Sequence, residues 1–226
     1  MEYGSKYTDI FSEIRSVSPV VSPILIAVSK KQPYEVIKQA YNDGIRHFGE
    51  NYIQEGIEKF TRLFSEIPES REQTKLHHIG PLQSGNIKKV VGFFHFVHGV
   101  GSLSALKELN KRSDKEKQKI SFFIQWNLTN ESQKNGIDPD EFLVLKDSIQ
   151  DLSSEYCNWE GFMVMGPSSG DPIETERVFE SAANMRTSFS SELKLSMGMS
   201  GDYLMAARYG SDYLRVGSLI FGERNI

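Results

Sequence analysis

Cysteine occurs once in the 226 residues, as Cys157, which excludes an intramolecular disulfide and any cysteine-built metal centre. The lone thiol reads as a small, half-buried residue. Long hydrophobic runs are missing: the longest, Val20 to Val28, is interrupted by Pro23 and is too short to span a bilayer. The N-terminus sets Glu2, Lys6 and Asp9 ahead of any apolar stretch. A soluble, cytoplasmic protein with no membrane partner is expected. Positive charge is not in excess either, with 26 Lys and Arg against 30 Asp and Glu, a net charge of −4 and a pI near 5.8. DNA and other nucleic acids are therefore not expected partners, and the Lys/Glu-rich stretch from Lys107 to Lys119 reads as a solvated helix and loop. No Ser/Gly-rich linker divides the chain. Its 38% hydrophobic content suffices for one substantial core, so a single domain over residues 1–226 is expected. Glu66–Thr74 and Asn110–Gln118 read as mobile charged loops.

What is present is an alternation. Apolar, β-rich runs recur at Ile24–Ser29, Arg46–Phe48, Lys75–Ile79, Phe94–His98, Ile120–Asn127, Gly161–Met165, Leu193–Met197 and Tyr213–Val216. Helical spacing fills the gaps at Tyr34–Tyr41, Asn51–Phe64, Gln83–Val91, Leu103–Lys111, Pro139–Leu152, Pro172–Phe189 and Asp202–Tyr209, with one more helix over Ser5–Val17 ahead of the first strand. Strict strand–helix alternation calls for a parallel sheet, and eight repeats predict a closed α/β (β/α)8 TIM barrel with an extra N-terminal helix. An open doubly wound sheet is the second choice.

Two late segments carry the chemistry. Ser196-Met197-Gly198-Met199-Ser200-Gly201-Asp202 and Tyr213-Leu214-Arg215-Val216-Gly217-Ser218-Leu219-Ile220-Phe221-Gly222 are strands that run into Gly and Ser, and Asp202 opens a predicted helix. Freed backbone N–H groups, the hydroxyls of Ser200 and Ser218 and a helix N-terminus suit a phosphate dianion. In a barrel these elements follow strands seven and eight, where phosphate often binds. The alternative is that the glycines simply make tight turns. At the other end of the chain, the strand Ile24–Ser29 delivers Lys30 to the same carboxyl-end mouth. A lysine facing an apolar barrel is a good Schiff-base former, although from this strand alone a surface lysine beside Lys31 is the commoner case.

The motifs Ala27-Val28-Ser29-Lys30, Phe48-Gly49-Glu50-Asn51-Tyr52-Ile53-Gln54-Glu55 and His77-His78-Ile79-Gly80-Pro81-Leu82-Gln83-Ser84, followed by Ser196–Asp202 and Arg215–Gly222, together resemble the pyridoxal phosphate homeostasis proteins. They occur in order over nearly the whole chain. The resemblance implies a barrel of the alanine-racemase N-terminal type that holds pyridoxal 5′-phosphate (PLP) as an internal aldimine on Lys30. It further implies that Ser200, Gly217 and Ser218 bind the phosphate, that Arg215 lies beside the pyridine nitrogen, that Asn51 and His77 line the cofactor, and that Met199 offers its backbone N–H. Three positions depart from the family pattern: His78 stands where an aromatic is usual, Gly85-Asn86 where Asn-Lys is common, and Ser218 where threonine is usual. His77 and His78 should face opposite sides of their strand.

The function so implied is intracellular PLP homeostasis, buffering the cofactor and delivering it to PLP-dependent apoenzymes, by a monomer or weak dimer without strong catalysis. Arg215 agrees with that role, because a guanidinium donates to the ring nitrogen but seldom protonates it, and an unprotonated ring is a weak electron sink. The sequence ends at Ile226, soon after the last barrel motif, whereas enzymes of the alanine-racemase type add a C-terminal β-domain with a catalytic tyrosine. The alternative is a PLP-dependent weak racemase or decarboxylase of small amino acids, for which Tyr203, Tyr209 or His77 would act as the base. A Schiff-base aldolase on a sugar phosphate is a third reading. Gly99-Val100-Gly101 lacks the third glycine of a dinucleotide fingerprint, the divided histidines make a metal site improbable, and Glu50, Glu55 and Glu58 are expected at a helix start.

Overall fold

Alternation along each strand sorts the apolar residues between two cores. Leu25 and Ala27, Phe48, Leu76, Val97, Phe122 and Ile124, Phe162 and Val164, Leu195, and Leu214 and Val216 belong to a continuous outer core shared with the helices. Ile26, Phe123, Met163 and Tyr213 form a separate cluster on the opposite faces of the same strands, which is the barrel axis. The computed structural model describes residues 2–129, 131 and 135–222. Its strands are β1 (Ile24–Val28), β2 (His47–Glu50), β3 (Lys75–Pro81), β4 (Phe96–Val100), β5 (Ile120–Trp126), β6 (Cys157–Val164), β7 (Lys194–Ser196) and β8 (Tyr213–Val216), all parallel and closed in sequence order. The barrel is closed by β1 against β8, with Ile24 opposite Tyr213 and Ala27 opposite Val216.

The surrounding helices are α1 (Glu2–Val17), α2 (Tyr34–Asn42), α3 (Ile53–Glu66), α4 (Ser70–Gln73), α5 (Ile87–Val90), α6 (Leu103–Glu116), α7 (Pro139–Asp151), α8 (Pro172–Phe189), α9 (Tyr203–Arg208) and α10 (Ser218–Phe221). Caps set several starts. Ser102 accepts from Ala105 N at 3.3 Å, while Asp138 and Asp171 accept from Glu141 N and Glu174 N at 2.8 Å, each followed by proline at the first helical position. No helix among the described residues is long and apolar enough to cross a membrane.

The (β/α)8 barrel with its N-terminal helix is as expected, with local differences. Glu50 sits on β2, not at a helix start. The expected helix Gln83–Val91 breaks into a 3₁₀ turn at Ser84–Asn86 and the single turn of α5, because Gly85 and Asn86 are poor helix formers. The charged segments expected as loops are partly helical. α4 occupies part of one, and α6 runs on to Glu116 with Arg112 paired to both Glu108 and Glu116 at 3.4 Å before Lys117 ends it in a left-handed turn (φ 54°). Cys157 is fully buried, and burial pushes its thiol up to about 12, so it is unreactive.

A polar chain runs through the barrel interior. His47 Nδ1 meets His77 Nε2 at 3.0 Å, His77 Nδ1 meets His98 Nε2 at 3.0 Å, and His98 Nδ1 meets Ser196 Oγ at 2.8 Å. Ser196 Oγ in turn accepts from Arg215 at 2.6 Å. Phe96 stacks on His77 and Phe123 on His98 at centroid distances of 4.5 and 4.4 Å, with Tyr213 edge-on to His77, His98 and Phe123. Since Arg215 only donates, Ser196 accepts from it and keeps its own proton for His98, which arranges the imidazoles as one-directional, neutral links.

Burial is the first cause that holds every histidine low, with Lys75 adding to it at His47 and His95 and Arg215 at His98: His47, His78 and His95 lie at about 4, His77 and His98 well below 6.5. An unfolded chain takes up these protons near pH 6.5 whereas the folded one refuses them until about pH 4. Stability is therefore complete above pH 6.5 and lost as pH falls through that window. The urea midpoint should fall steeply between pH 6.5 and 4, and His98→Gln should flatten that slope by about one proton; a level midpoint would contradict the assignment. α1 packs against α9 and α10, with Ile10 and Ile14 buried and Tyr7 donating to the Leu25 carbonyl at 2.6 Å. Ile14→Ala should cost about 2–5 kcal/mol in equilibrium unfolding.

Candidate functional site

Strand ends, not helix faces, build the mouth of the barrel. β7 passes into Met197 and then Gly198, whose φ of +91° turns the chain where a side chain would strike Ala206 Cβ at 2.6 Å. The turn lets Gly198 O accept from Arg215 N at 3.0 Å, which ties the two late loops together. Gly217 N donates to Ser200 Oγ at 3.3 Å, a second tie. Beyond it Ser218 starts α10, where the first N–H groups of a helix have no acceptor within it. This short helix escaped the sequence reading, since four residues leave no periodicity to detect.

Between these loops and the end of β1 lies a cleft of about 270 Å³ lined by Val28, Lys30, Asn51, Ile79, Met165, Met199, Ser200, Gly201, Arg215, Gly217 and Ser218. Seven of the eight site residues expected from sequence line it: Lys30, Asn51, Met199, Ser200, Arg215, Gly217 and Ser218. His77 does not. It is enclosed one layer below, in the histidine chain, and reaches Arg215 only through His98 and Ser196. Its inward alternation from His78 is as expected, for His78 packs edge-on to Phe94 in the outer core. Met199 also differs from expectation, because Asp202 Oδ1 takes its backbone N–H at 2.5 Å and leaves the side chain at the rim. Burial raises the Asp202 carboxyl, while the Met199 N–H and the Arg215 charge pull it back.

Arg215 forms part of the cleft wall and is 5% exposed. Its NH1 donates to Ser196 Oγ at 2.6 Å and its NH2 to the Val164 carbonyl at 3.1 Å. Burial brings it down to about 10, against the pull of the Asp202 carboxylate, so it stays charged at neutral pH. A wider groove of about 850 Å³ lies elsewhere, edged by Glu131, Asp138, Asp140 and Glu141 with no cation among its described lining residues, so it repels anions. Of these two, and among the described residues, the smaller cleft joins a primary amine, a guanidinium, two hydroxyls and helix-start N–H groups. That donor set fits a compound carrying both a phosphate and an aldehyde, and the absence of a side chain at Gly217, where an added Cβ would lie 3.1 Å from Val28 O, lets the end of β8 pack closely on the end of β1 at the cleft.

Comparison with known proteins agrees with this geometry. The family model described as alanine racemase, N-terminal domain, matches residues 11–225. The pyridoxal phosphate homeostasis protein of Schizosaccharomyces pombe is 34% identical over 222 residues, covering 95% of this chain and 90% of that one. PipY of Synechococcus elongatus, solved with PLP bound, superposes with a TM-score of 0.85 at 29% identity over 97% of this chain and 100% of that one; without PLP the figures are 0.83, 32%, 96% and 100%. The alanine racemase of E. faecalis shares the fold alone, at 14% identity and a TM-score of 0.72 over 100% of this chain and 59% of that one. By the extent of the match and by its relatives, the chain belongs to the alanine racemase N-terminal-domain family and, within it, to the pyridoxal phosphate homeostasis proteins.

Proposed function

We propose that the cleft binds PLP through an imine link to Lys30, and that the protein buffers the cofactor and delivers it to apoenzymes without itself turning over substrate. The observation that carries this reading is the convergence of Lys30 from the first strand with Ser200, Arg215 and Ser218 from the last two. When bound, the cofactor supplies an aldehyde that condenses reversibly with an amine and releases one water. Lys30 is the amine within the cleft. Ser200, Gly217 and Ser218 hold the phosphate, Arg215 donates to the pyridine nitrogen, and Asn51 borders the ring. The fixed charge of Arg215 leaves that nitrogen short of a proton donor, which disfavours carbanion chemistry.

The bases that the racemase or decarboxylase reading needs are held elsewhere. The Tyr203 hydroxyl donates to Glu13 and the Tyr209 hydroxyl to Glu176, and neither tyrosine lines the cleft. Burial and its Glu13 partner push Tyr203 up to about 12. His77 is enclosed and held neutral by burial. A cytoplasmic location and a monomer or weak dimer accord with the buffering role.

Adding PLP to the purified protein should produce a visible imine band, and borohydride followed by peptide mapping should place the label on Lys30. Lys30→Ala should lose the band yet keep part of the affinity, because the phosphate grip comes from other strands. A variant that binds as tightly as the parent with the same spectrum would refute the Lys30 assignment. Ser200→Ala removes a hydroxyl at the phosphate and should weaken PLP roughly tenfold or more, with the band position unchanged at saturation. Incubation with L-alanine in heavy water should exchange no α-proton; sustained exchange would overturn the non-catalytic reading in favour of the racemase one.

A further inference from the structure

Lys30 sits in a turn whose geometry is enforced from outside the cleft. β1 ends at Val28, and Ser29 to Lys31 turn the chain toward Pro33, with Lys31 in the left-handed region at φ 61°, a conformation an L-residue adopts only when held there. Two side chains of α3 hold it. Lys59 Nζ donates to the Ser29 carbonyl at 2.8 Å, and Glu55 Oε1 accepts the Lys31 N–H at 2.5 Å. The peptide groups on the two sides of Lys30 are thus gripped by an ammonium and a carboxylate, themselves paired at 2.8 Å. Lys59 also pairs with Glu50 at 2.6 Å, and Glu50 accepts from Ser29 Oγ at 2.6 Å.

α3 approaches closely enough to do this because residue 56 is glycine, where a Cβ would lie 3.1 Å from Glu50 Cγ. Gly56 is the fourth residue of α3, and glycine is a poor helix former, so the close approach is obtained against local propensity. Burying an ion pair of this kind is seldom a net gain in stability, since desolvation offsets the attraction. Here the side chain of Lys59 is 9% exposed and that of Glu50 0%, and Glu50 Oε2 has no hydrogen-bonding partner. Geometric constraint on the turn accounts for a network that stability alone does not.

We propose that Lys59 and Glu55 are positioning residues for Lys30: by clamping its two flanking peptides they aim its side chain at the aldehyde-bearing end of the ligand. The inference rests on the reading of Lys30 as the imine-forming amine. Capture of an aldehyde by an amine gains from a fixed approach, whereas holding a phosphate on the loops after β7 and β8 does not depend on this turn. The clamp therefore acts on one half of the ligand only.

The test compares PLP with 4′-deoxypyridoxine 5′-phosphate, which keeps the ring and the phosphate but has no aldehyde. The Glu55 side chain is 29% exposed, so Glu55→Ala should fold, and Glu55→Gln keeps an acceptor for the Lys31 N–H. Glu55→Ala should slow imine formation and lower PLP affinity roughly fivefold or more, leave the deoxy analogue within about twofold, and be largely rescued by Glu55→Gln. Lys59→Met should show a larger effect of the same selectivity. A parallel loss for both ligands, or no change in either, overturns the clamp while borohydride labelling of Lys30 in the parent protein still upholds the reading beneath it. Absence of labelling at Lys30 in the parent overturns both.

Discussion

The pairing of β1 with β8 is the constraint on which the site depends. Lys30 and Arg215 stand near opposite ends of the chain, and they meet because the barrel closes with Ile26 opposite Arg215 and Ala27 opposite Val216. The closure is tight at its upper edge, where Gly217 passes the Val28 carbonyl. Parallel pairing in register puts both strand ends at one mouth, since all strands point the same way. An open sheet of the same elements would leave the amine and the phosphate loops at separate edges. Closure thus assembles the ligand site as well as removing sheet edges.

Closure also creates an interior that has to accommodate a buried cation. Arg215 cannot shed its proton at neutral pH, so its donors need acceptors that carry no competing positive charge. Val164 O and Ser196 Oγ supply them, and the Ser196 proton passes the demand on to His98, His77 and His47. Desolvation keeps these imidazoles neutral, and at His98 the Arg215 charge adds to it. A protonated histidine beside Arg215 would set two cations against each other in a low-dielectric core. The interior is polar yet closely matched in donors and acceptors, which is how a barrel axis tolerates so many nitrogen atoms.

The repeat was legible because eight apolar runs separated by helical spacing leave few other folds, and because the glycines and serines after the last two strands mark backbone brought close to a ligand. Short elements were not legible. α10 and α4 have four residues each, barely more than one helical period and too few for an apolar spacing to repeat, and the helix expected over Gln83–Val91 failed at Gly85-Asn86. Glu50 was misplaced because a carboxylate after a short polar strand looks like the start of a helix; its salt bridge to Lys59 comes from tertiary packing that no local spacing records. His77 was expected at the cofactor from the family resemblance alone. Alternation gave its opposition to His78 correctly, but depth along the barrel axis depends on register between strands, and β3 pairs His77 with Gly49 and Phe96, one layer beneath the mouth.

Depth also explains how the two halves of the site divide their work. The phosphate side is made of backbone and hydroxyl groups on loops tied to each other through Gly198, Ser200 and Gly217, so its geometry follows from the closure of the sheet. The amine side hangs on a single turn after β1: Ser29 N donates to Gly49 O on β2 at 2.9 Å and Gln32 N closes the turn onto Ser29 O at 3.1 Å, while the Lys31 N–H and the Ser29 carbonyl are also held by Glu55 and Lys59 of α3. Under the proposed function, such a division would let the link to Lys30 be made and broken without dismantling the anion grip. The racemase reading would need, in addition, a base aimed at the bound substrate; the Tyr203 and Tyr209 hydroxyls donate instead to Glu13 and Glu176. On the proposed reading, the groups that would hold the ligand come from strand ends, whereas the two tyrosine hydroxyls are engaged on the helices outside the cleft.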